Sequence, residues 1–149
     1  MKRKKELFIY SCCYINDNIE FKKFFKLLNI NDDFKNYKID CNKFISILLK
    51  NNFMIDIKNR ESKKVLFQKF DNLLKNLNIK NFNLDLKSIS NVEKDTITYN
   101  LNLFSKYIRK LGYELVKIEP INIKKKSNLY FIVLPIEKLL DLAEIGYMG

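Results

Sequence analysis

The sequence predicts one α+β domain, residues 1–149, in which a small mixed or antiparallel sheet is covered by helices. Several segments space their apolar residues at helical intervals, and others are short and β-prone or continuously apolar, as strands are. No Pro-, Gly- or Ser-rich linker and no internal repeat divides the chain. With 149 residues, of which 47% are hydrophobic, the chain can bury a core without disulfides.

The opening segment MKRKKELFIYSCCYI is basic and then apolar only over residues 7–10. This stretch is shorter than the apolar core of an export signal, which has about 7 to 15 residues. We therefore expect an amphipathic helix or a short strand of the domain here, rather than an export signal or a lipid-anchoring site. No run of about 18 apolar residues occurs elsewhere, so no membrane span is expected.

Two helices are predicted in the first third of the chain. Residues 18–28 place apolar side chains around lysines at helical spacing, and residues 29–33 interrupt the pattern. Asp40 is a suitable N-cap for the second helix, which we expect to stop at residues 51–52.

A strand and a helix are predicted in the middle of the chain. Residues 53–57 are short, apolar and β-prone, which is typical of a strand. Ser62 can cap the next helix. The apolar residues on one face of that helix are Leu66, Phe70, Leu73 and Leu77. Residues 81–86 alternate apolar and polar side chains, which fits either an edge strand or an extended connection.

The last third is predicted to fold as helix, strand, strand and helix. Ser90 and Glu93 have the spacing of a capping box, and a long amphipathic helix behind them leads to Gly112, where a left-handed residue is expected. Strands are predicted over residues 113–119 and 129–134. The second is apolar throughout, as a strand covered on both faces is.

The C-terminal helix is expected over residues 136–145. Pro135 suits its first position, because a backbone N–H there has no partner within the helix, and Gly146 suits its end. The side chains expected to face the core are Leu139, Leu140 and Ala143.

The composition indicates a basic protein with reduced thiols. The net charge is +11, but 25 of the 28 basic residues are Lys, and Lys, Asn and Ile all have A/T-rich codons. Charge alone therefore indicates solubility or electrostatic steering. The three cysteines, Cys12, Cys13 and Cys41, are an odd number, and we expect buried free thiols in a cytoplasmic protein.

The residue types that enzymes commonly use are scarce, so we do not expect an enzyme. The chain has no histidine, which excludes Ser-His and Cys-His nucleophile pairs. Three glycines cannot build a glycine-rich phosphate loop, and the cysteines lack the C-x-x-C spacing of zinc sites, so neither cofactor nor metal is expected. Carboxylates such as Asp32, Asp33 and Glu93 could serve acid/base chemistry, but turns and helix capping explain them better.

Two groups of basic side chains are the candidate partner-binding residues. Lys58 and Arg60 follow the first predicted internal strand, and Lys124, Lys125 and Lys126 stand together in the loop between the last two strands. Such residues are usually solvated surface, but clustered cations can also bind phosphate or an acidic protein.

The segment LGYELVKIEPINIKKKSNLYFIVLPIEKLLDLAEIG runs from a helix ending in Leu-Gly through a strand, a polar turn and an apolar strand to Pro and an acidic-start helix. A strand–helix unit, NNFMIDIKNRESKKVLFQKFDNLLKNL, precedes it. This order of elements resembles small bacterial proteins of uncharacterised or immunity type. Proteins similar to this neutralise a cognate toxin of contact-dependent inhibition or related interbacterial systems by binding it tightly.

The resemblance implies a cytoplasmic toxin-binding protein with no catalytic residues. Many such inhibitors are acidic because their toxins are basic nucleases, whereas this chain is basic. The charge therefore implies a toxin with an acidic surface, or a local patch that matters more than the total. The alternative is a nucleic-acid-binding or regulatory protein that uses Lys58, Arg60 and the triple-Lys loop on phosphate.

Overall fold

The computed structural model describes residues 10–30, 39–79, 97–121 and 128–148. The helices in these ranges are α1 (Phe21–Leu27), α2 (Cys41–Lys50), α3 (Lys63–Lys75), α4 (Ile97–Lys110) and α5 (Leu139–Ile145), and a 3₁₀ turn (Ile136–Lys138) precedes α5. The strands are β1 (Ser11–Ile15), β2 (Ile55–Lys58), β3 (Tyr113–Pro120), β4 (Asn128–Pro135) and β5 (Tyr147–Met148). The fold belongs to the predicted α+β class and has the predicted C-terminal order of helix, strand, strand and helix.

The five strands form one mixed sheet in the order β2-β4-β3-β1-β5. β1 pairs with β3 in parallel, from Ser11 opposite Val116 to Ile15 opposite Pro120, and the other pairings are antiparallel. Of the two alternatives for the N-terminal segment, the described part is therefore a strand. β4 lies between β2 and β3, and residues 131–134 are all buried, which confirms the prediction of a strand covered on both faces.

Helices cover both faces of the sheet, and the alternation along β4 shows how. Ile132 and Leu134 face a cluster formed with α1, α2 and α5, whereas Phe131 and Val133 face a cluster formed with α3 and α4. The second cluster is tied together by aromatic stacking between α3 and α4, in which ring centroids lie 4.0 Å apart. The core is therefore double, with one apolar layer on each side of the sheet.

The two predicted N-caps, Asp40 and Ser62, are confirmed. The side chain of Asp40 accepts a hydrogen bond from the Lys43 N–H at 2.8 Å, and that of Ser62 accepts one from the Val65 N–H at 3.2 Å. Both satisfy an N–H that has no partner within its helix. Gly112 follows α4 with a φ of 90°, as expected for a left-handed residue at a helix end.

Asparagine follows three of the helices. Asn29, Asn52 and Asn78 have φ values of 59°, 62° and 58°, in the left-handed region that asparagine tolerates. After Asn29, the Ile30 N–H donates to the Phe25 carbonyl at 2.9 Å, and equivalent bonds follow the other two asparagines. These six-residue closures are Schellman motifs. Part of the asparagine content thus ends helices.

The C-terminal helix begins differently from the prediction. Pro135 is the last residue of β4, and the 3₁₀ turn delays the start of α5 to Leu139. Because a 3₁₀ turn has about three residues per turn instead of about 3.6, it changes which side chains of α5 face inward. Leu142 is buried, whereas Leu140 and Ala143 are exposed, so the prediction that these two face the core is wrong.

Some predictions lie outside the described residues. They are the alternating segment 81–86, the capping box of Ser90 and Glu93, and the acidic pair Asp32-Asp33. In the ranges that are described, none of the helices has both the length and the apolar character needed to cross a bilayer.

Candidate functional site

Lys58 and Arg60 lie at an exposed turn between β2 and α3, which we call the basic turn, together with Lys64 at the start of α3. Lys58 ends β2 opposite Asn128, the first residue of β4. All three cations of the basic turn are exposed. The other predicted group, Lys124–Lys126, lies outside the described residues, so the structure positions only part of the predicted binding site.

A network of charged side chains holds the basic turn in place. The Lys69 ammonium of α3 lies 3.0 Å from a carboxylate oxygen of Glu61 and 3.6 Å from one of Asp56, and it donates to the Asp56 backbone carbonyl. Glu61 also accepts a hydrogen bond from the Lys58 N–H at 2.9 Å. Backbone and side chains on both sides of the turn are thereby joined, so its cations project from an ordered segment.

The same network occupies the outer edge of β2. A strand at the edge of a sheet has N–H and C=O groups that could pair with another chain. Here Lys69 bonds the carbonyl of Asp56, and Glu61 bonds the N–H of Lys58. Addition of a partner strand at this edge would have to break both contacts, so the edge is unsuitable for strand addition.

Glu61 is the group of this network whose pKa is shifted in the fold. Partial burial opposes ionisation of Glu61, but the bonds from the Lys58 N–H and the Lys69 ammonium outweigh it and lower the pKa of the carboxyl. Burial, followed by the charge of Asp56, raises the pKa of nearby Tyr130. Its phenol is therefore neutral, and it provides no base.

A second surface lies at the opposite end of β4, where the 3₁₀ turn meets the end of α4. The Ile136 N–H donates to the Gly112 carbonyl at 3.0 Å, which joins the two segments. Leu111 (46%) and Ile136 (45%) are exposed at this junction, and Leu140 (80%) is exposed four residues further along the chain, in α5. We call these three residues the apolar patch. An exposed apolar group of this kind can mark an interaction surface.

The sequence analysis missed the apolar patch because it assigned Leu140 to the core. A signal was present: Leu139, Leu140 and Leu142 lie within four residues, and adjacent helix positions diverge by about 100°, so all three cannot face one side. One leucine must point outward. Which one does so depends on the 3₁₀ turn, which the helical pattern did not reveal.

An ion pair holds the chain next to the apolar patch. Nε and Nη2 of Arg109 each donate at 3.0 Å to a different carboxylate oxygen of Glu114, which also accepts a bond from the Ser11 hydroxyl at 2.9 Å. Glu114 is only 5% exposed. The hydrogen bonds to Glu114 raise the pKa of Arg109. One of the three arginines is therefore paired with a carboxylate of the fold, with 43% of its side chain exposed.

Titratable side chains also gather on β1 and β3. Cys12 lies opposite Lys117 in the parallel ladder, and the Lys117 ammonium is 3.1 Å from a carboxylate oxygen of Glu119. Desolvation opposes the charge of Lys117, yet the bond to Glu119 raises its pKa, and burial raises the pKa of Tyr10. At neutral pH neither Lys117 nor Tyr10 can act as a base.

The buried thiols are protonated at neutral pH. Burial raises the pKa of Cys13 and of Cys41 to about 12, and a hydrogen bond with Asp17 contributes at Cys41. Because the thiolate is the nucleophile and the metal ligand, both thiols are unreactive. The three cysteines are free, as predicted, although Cys12 is half-buried. Within the described ranges, no group of three or more His, Cys, Asp or Glu side chains could hold a metal ion.

Comparison with known proteins finds no relative of this chain. No protein-family model, no curated protein and no solved structure matches it. The resemblance to immunity-type proteins therefore stays a prediction. Function must be inferred from the residues of the chain itself.

Proposed function

We propose that this protein is a non-enzymatic, cytoplasmic immunity protein that neutralises a cognate toxin by direct contact. The apolar patch carries this proposal. Protein–protein interfaces have an apolar, well-packed centre within a polar rim, and a few side chains at that centre contribute most of the binding energy. Leu140, with 80% of its surface exposed on a helix, has the position that such a centre requires.

The surroundings of the apolar patch are preordered. The bidentate contact between Arg109 and Glu114 fixes the end of α4, and the bond from Ile136 to Gly112 fixes the 3₁₀ turn against it. A surface that is already ordered loses less conformational entropy on binding, so more of the contact energy becomes affinity. We therefore expect the protein to bind its partner without rearranging its own surface.

The basic turn contributes electrostatic attraction rather than the binding centre. β4 runs from Asn128 to Pro135, so the basic turn and the apolar patch are separated by about 24 Å, at about 3.4 Å per residue. An interface of standard size buries about 800 Å² on each partner, which corresponds to a radius of about 16 Å, so the basic turn lies outside an interface centred on the apolar patch. From there its cations attract an acidic partner at long range and speed the encounter.

Growth rescue tests the proposal. A toxin gene is expected beside the gene for this protein, and co-expression of the protein should restore growth of cells that make that toxin. Leu140→Asp should weaken toxin binding by about 30-fold, the effect of losing about 2 kcal/mol at an interface centre. Because Leu140 is 80% exposed, the variant should fold normally.

Val65→Asp is the matched control. Val65 is an apolar residue of α3 that is 37% exposed and lies outside the apolar patch, in the first turn of its helix, where a negative charge is favourable. It should leave rescue unchanged. Absence of a neighbouring toxin gene, or no rescue by the unmodified protein, would contradict toxin neutralisation. Equal rescue by the two variants would contradict the role of the apolar patch alone.

Nucleic-acid binding through the basic turn is the second candidate function. It is favoured by the net charge of +11 and by the exposure of Lys58 and Arg60. Phosphate contacts would make the affinity fall steeply between about 50 and 200 mM salt. Lys58→Glu/Arg60→Glu should abolish such binding, whereas Lys50→Glu/Lys106→Glu, which changes the net charge equally, should retain most of it. Undetectable binding to DNA and RNA at low salt excludes this function.

A further inference from the structure

A groove between α1 and α5 lies apart from the basic turn. Its volume is about 420 Å³, which falls in the range of small-molecule sites. Residues of α1 and of α5 line its two sides, and both helices contribute charged and apolar side chains. The lining residues of the groove belong to neither the basic turn nor the apolar patch, although its α5 wall adjoins Leu140.

The two walls of the groove carry opposite charge. Lys23 and Lys26 stand one turn apart on α1, and Asp141 and Glu144 stand one turn apart on α5. Within the described residues, neither Lys23 nor Lys26 reaches ion-pair distance of Asp141 or Glu144; the ion pair of Lys23 is with Glu20, at 3.5 Å on an exposed surface. The facing charges are thus close enough to line one groove but do not neutralise each other.

Lys138 holds the two walls in position. Its ammonium donates at 3.0 Å to the backbone carbonyl of Leu27, the last residue of α1. Carbonyls at a helix end have no partner within the helix, and a lysine ammonium is a favourable one. Because Lys138 precedes α5 directly, this bond connects the turn before α5 to the end of α1. The spacing of the walls is therefore set by the fold rather than by a ligand.

We propose that this groove binds a small linear molecule with a carboxylate at one end and an ammonium group at the other, an ω-amino carboxylate. The ligand carboxylate pairs with the lysines of α1, and its ammonium pairs with the carboxylates of α5. Its methylene groups lie along Leu27 and Ile145, the apolar lining residues. A molecule with only one charged end leaves the opposite wall without a counter-charge.

The ligand must carry its two charges at separate ends, because the two charged walls belong to different helices. An α-amino acid carries both charges on one carbon and its neighbour. In 6-aminohexanoate five methylene groups separate the charges, which makes it a suitable first probe.

Titration of the ¹⁵N-labelled protein with three probes tests the inference. The probes are 6-aminohexanoate, hexanoate and hexylamine, and the readout is the chemical shift of the Leu27 and Ile145 amides. We expect saturable shifts with 6-aminohexanoate and a Kd on the order of 1 mM, because exposed ion pairs are individually weak. The two singly charged probes should bind at least about threefold more weakly.

Two variants test which wall of the groove binds which end of the ligand. Lys26→Gln should weaken 6-aminohexanoate and hexanoate but not hexylamine, whereas Glu144→Gln should weaken 6-aminohexanoate and hexylamine but not hexanoate. Both residues are exposed, so both variants should fold. Lys106→Gln, at an exposed position of α4, is the control and should change none of the three. Equal binding of the three probes, shifts that do not saturate, or insensitivity to both groove variants would overturn the proposal. Toxin neutralisation does not depend on this result.

Discussion

At one end of β4, Asn128 lies opposite Lys58 and leads to the basic turn; at the other end, Pro135 leads into the 3₁₀ turn and the apolar patch. Both ends are held by a helix cation on a carboxylate, Lys69 on Glu61 at 3.0 Å and Arg109 on Glu114 at 3.0 Å. Yet one end exposes cations and the other exposes leucine and isoleucine side chains. Similar internal contacts therefore support surfaces of opposite character.

The comparison teaches that total charge overstates the charge available for binding. Lys69 and Arg109 each pair with a carboxylate of the fold, so part of the positive charge is already balanced within the protein. The two contacts also differ in strength. Arg109 meets its partner with two parallel hydrogen bonds, whereas Lys69 divides its ammonium between two side chains and a backbone carbonyl. Bidentate arginine contacts are the stronger kind.

The largest loss of stability is expected from a substitution of Arg109. Arg109→Met removes two donors from the buried carboxylate of Glu114 and leaves it the Ser11 hydroxyl. We expect the free energy of unfolding, measured by urea denaturation, to fall by about 3 kcal/mol. Arg109→Met/Glu114→Leu removes the buried charge as well and should recover at least half of the loss. A loss below about 1 kcal/mol in the single variant would show that the two ends do not differ as described.

A smaller effect is expected at the Lys69 end. Lys69→Met removes a donor from Glu61 and from the Asp56 carbonyl, and should lower the free energy of unfolding by about 2 kcal/mol. Lys75→Met, at an exposed position of the same helix, should change it by less than about 0.5 kcal/mol. If the two variants unfold at the same urea concentration, the network does not stabilise the basic turn.

The smallest effect is a difference in pH dependence. The pKa of Glu61 is lowered in the folded protein, so its contribution to stability is present above the unfolded pKa of about 4.3 and is lost as the pH falls through the folded value. The urea midpoint of the unmodified protein should fall as the pH is lowered from 6 to 3. Glu61→Gln lacks one of the carboxyls whose protonation causes this fall, so its midpoint should fall less steeply. An equally steep decline in the variant would assign the acid sensitivity to other carboxyls.

Local signals predicted most of the described elements. Asp40 and Ser62 cap helices where expected, and Gly112 takes the left-handed conformation after α4. Such signals act within four or five residues, so they can be recognised without the tertiary structure. The start of α5 was not predictable in this way, because Pro135 fits both the end of a strand and the start of a helix.

The candidate surfaces were less predictable than the elements. The exposure of Lys58 and Arg60 follows from their position after a strand, and the sequence analysis identified both. The apolar patch depends on the helical phase of Leu140. The groove depends on a contact between Lys138 and Leu27, which are 111 residues apart in the chain. No periodicity within one segment can indicate a site built from two distant ones.

The amino-acid sequence by itself determined most of the helix and strand segments, the burial of β4 on both faces and the absence of histidine chemistry, because these depend on side-chain type and on neighbours a few residues away. The tertiary structure alone decided that β1 joins β3 in parallel, which cations are used in internal ion pairs, and which side chains meet at each end of the sheet. Those outcomes depend on the simultaneous packing of both faces of one sheet. A single segment is compatible with several strand pairings and ion pairs. Only the complete core, in which all segments pack together, selects one of them.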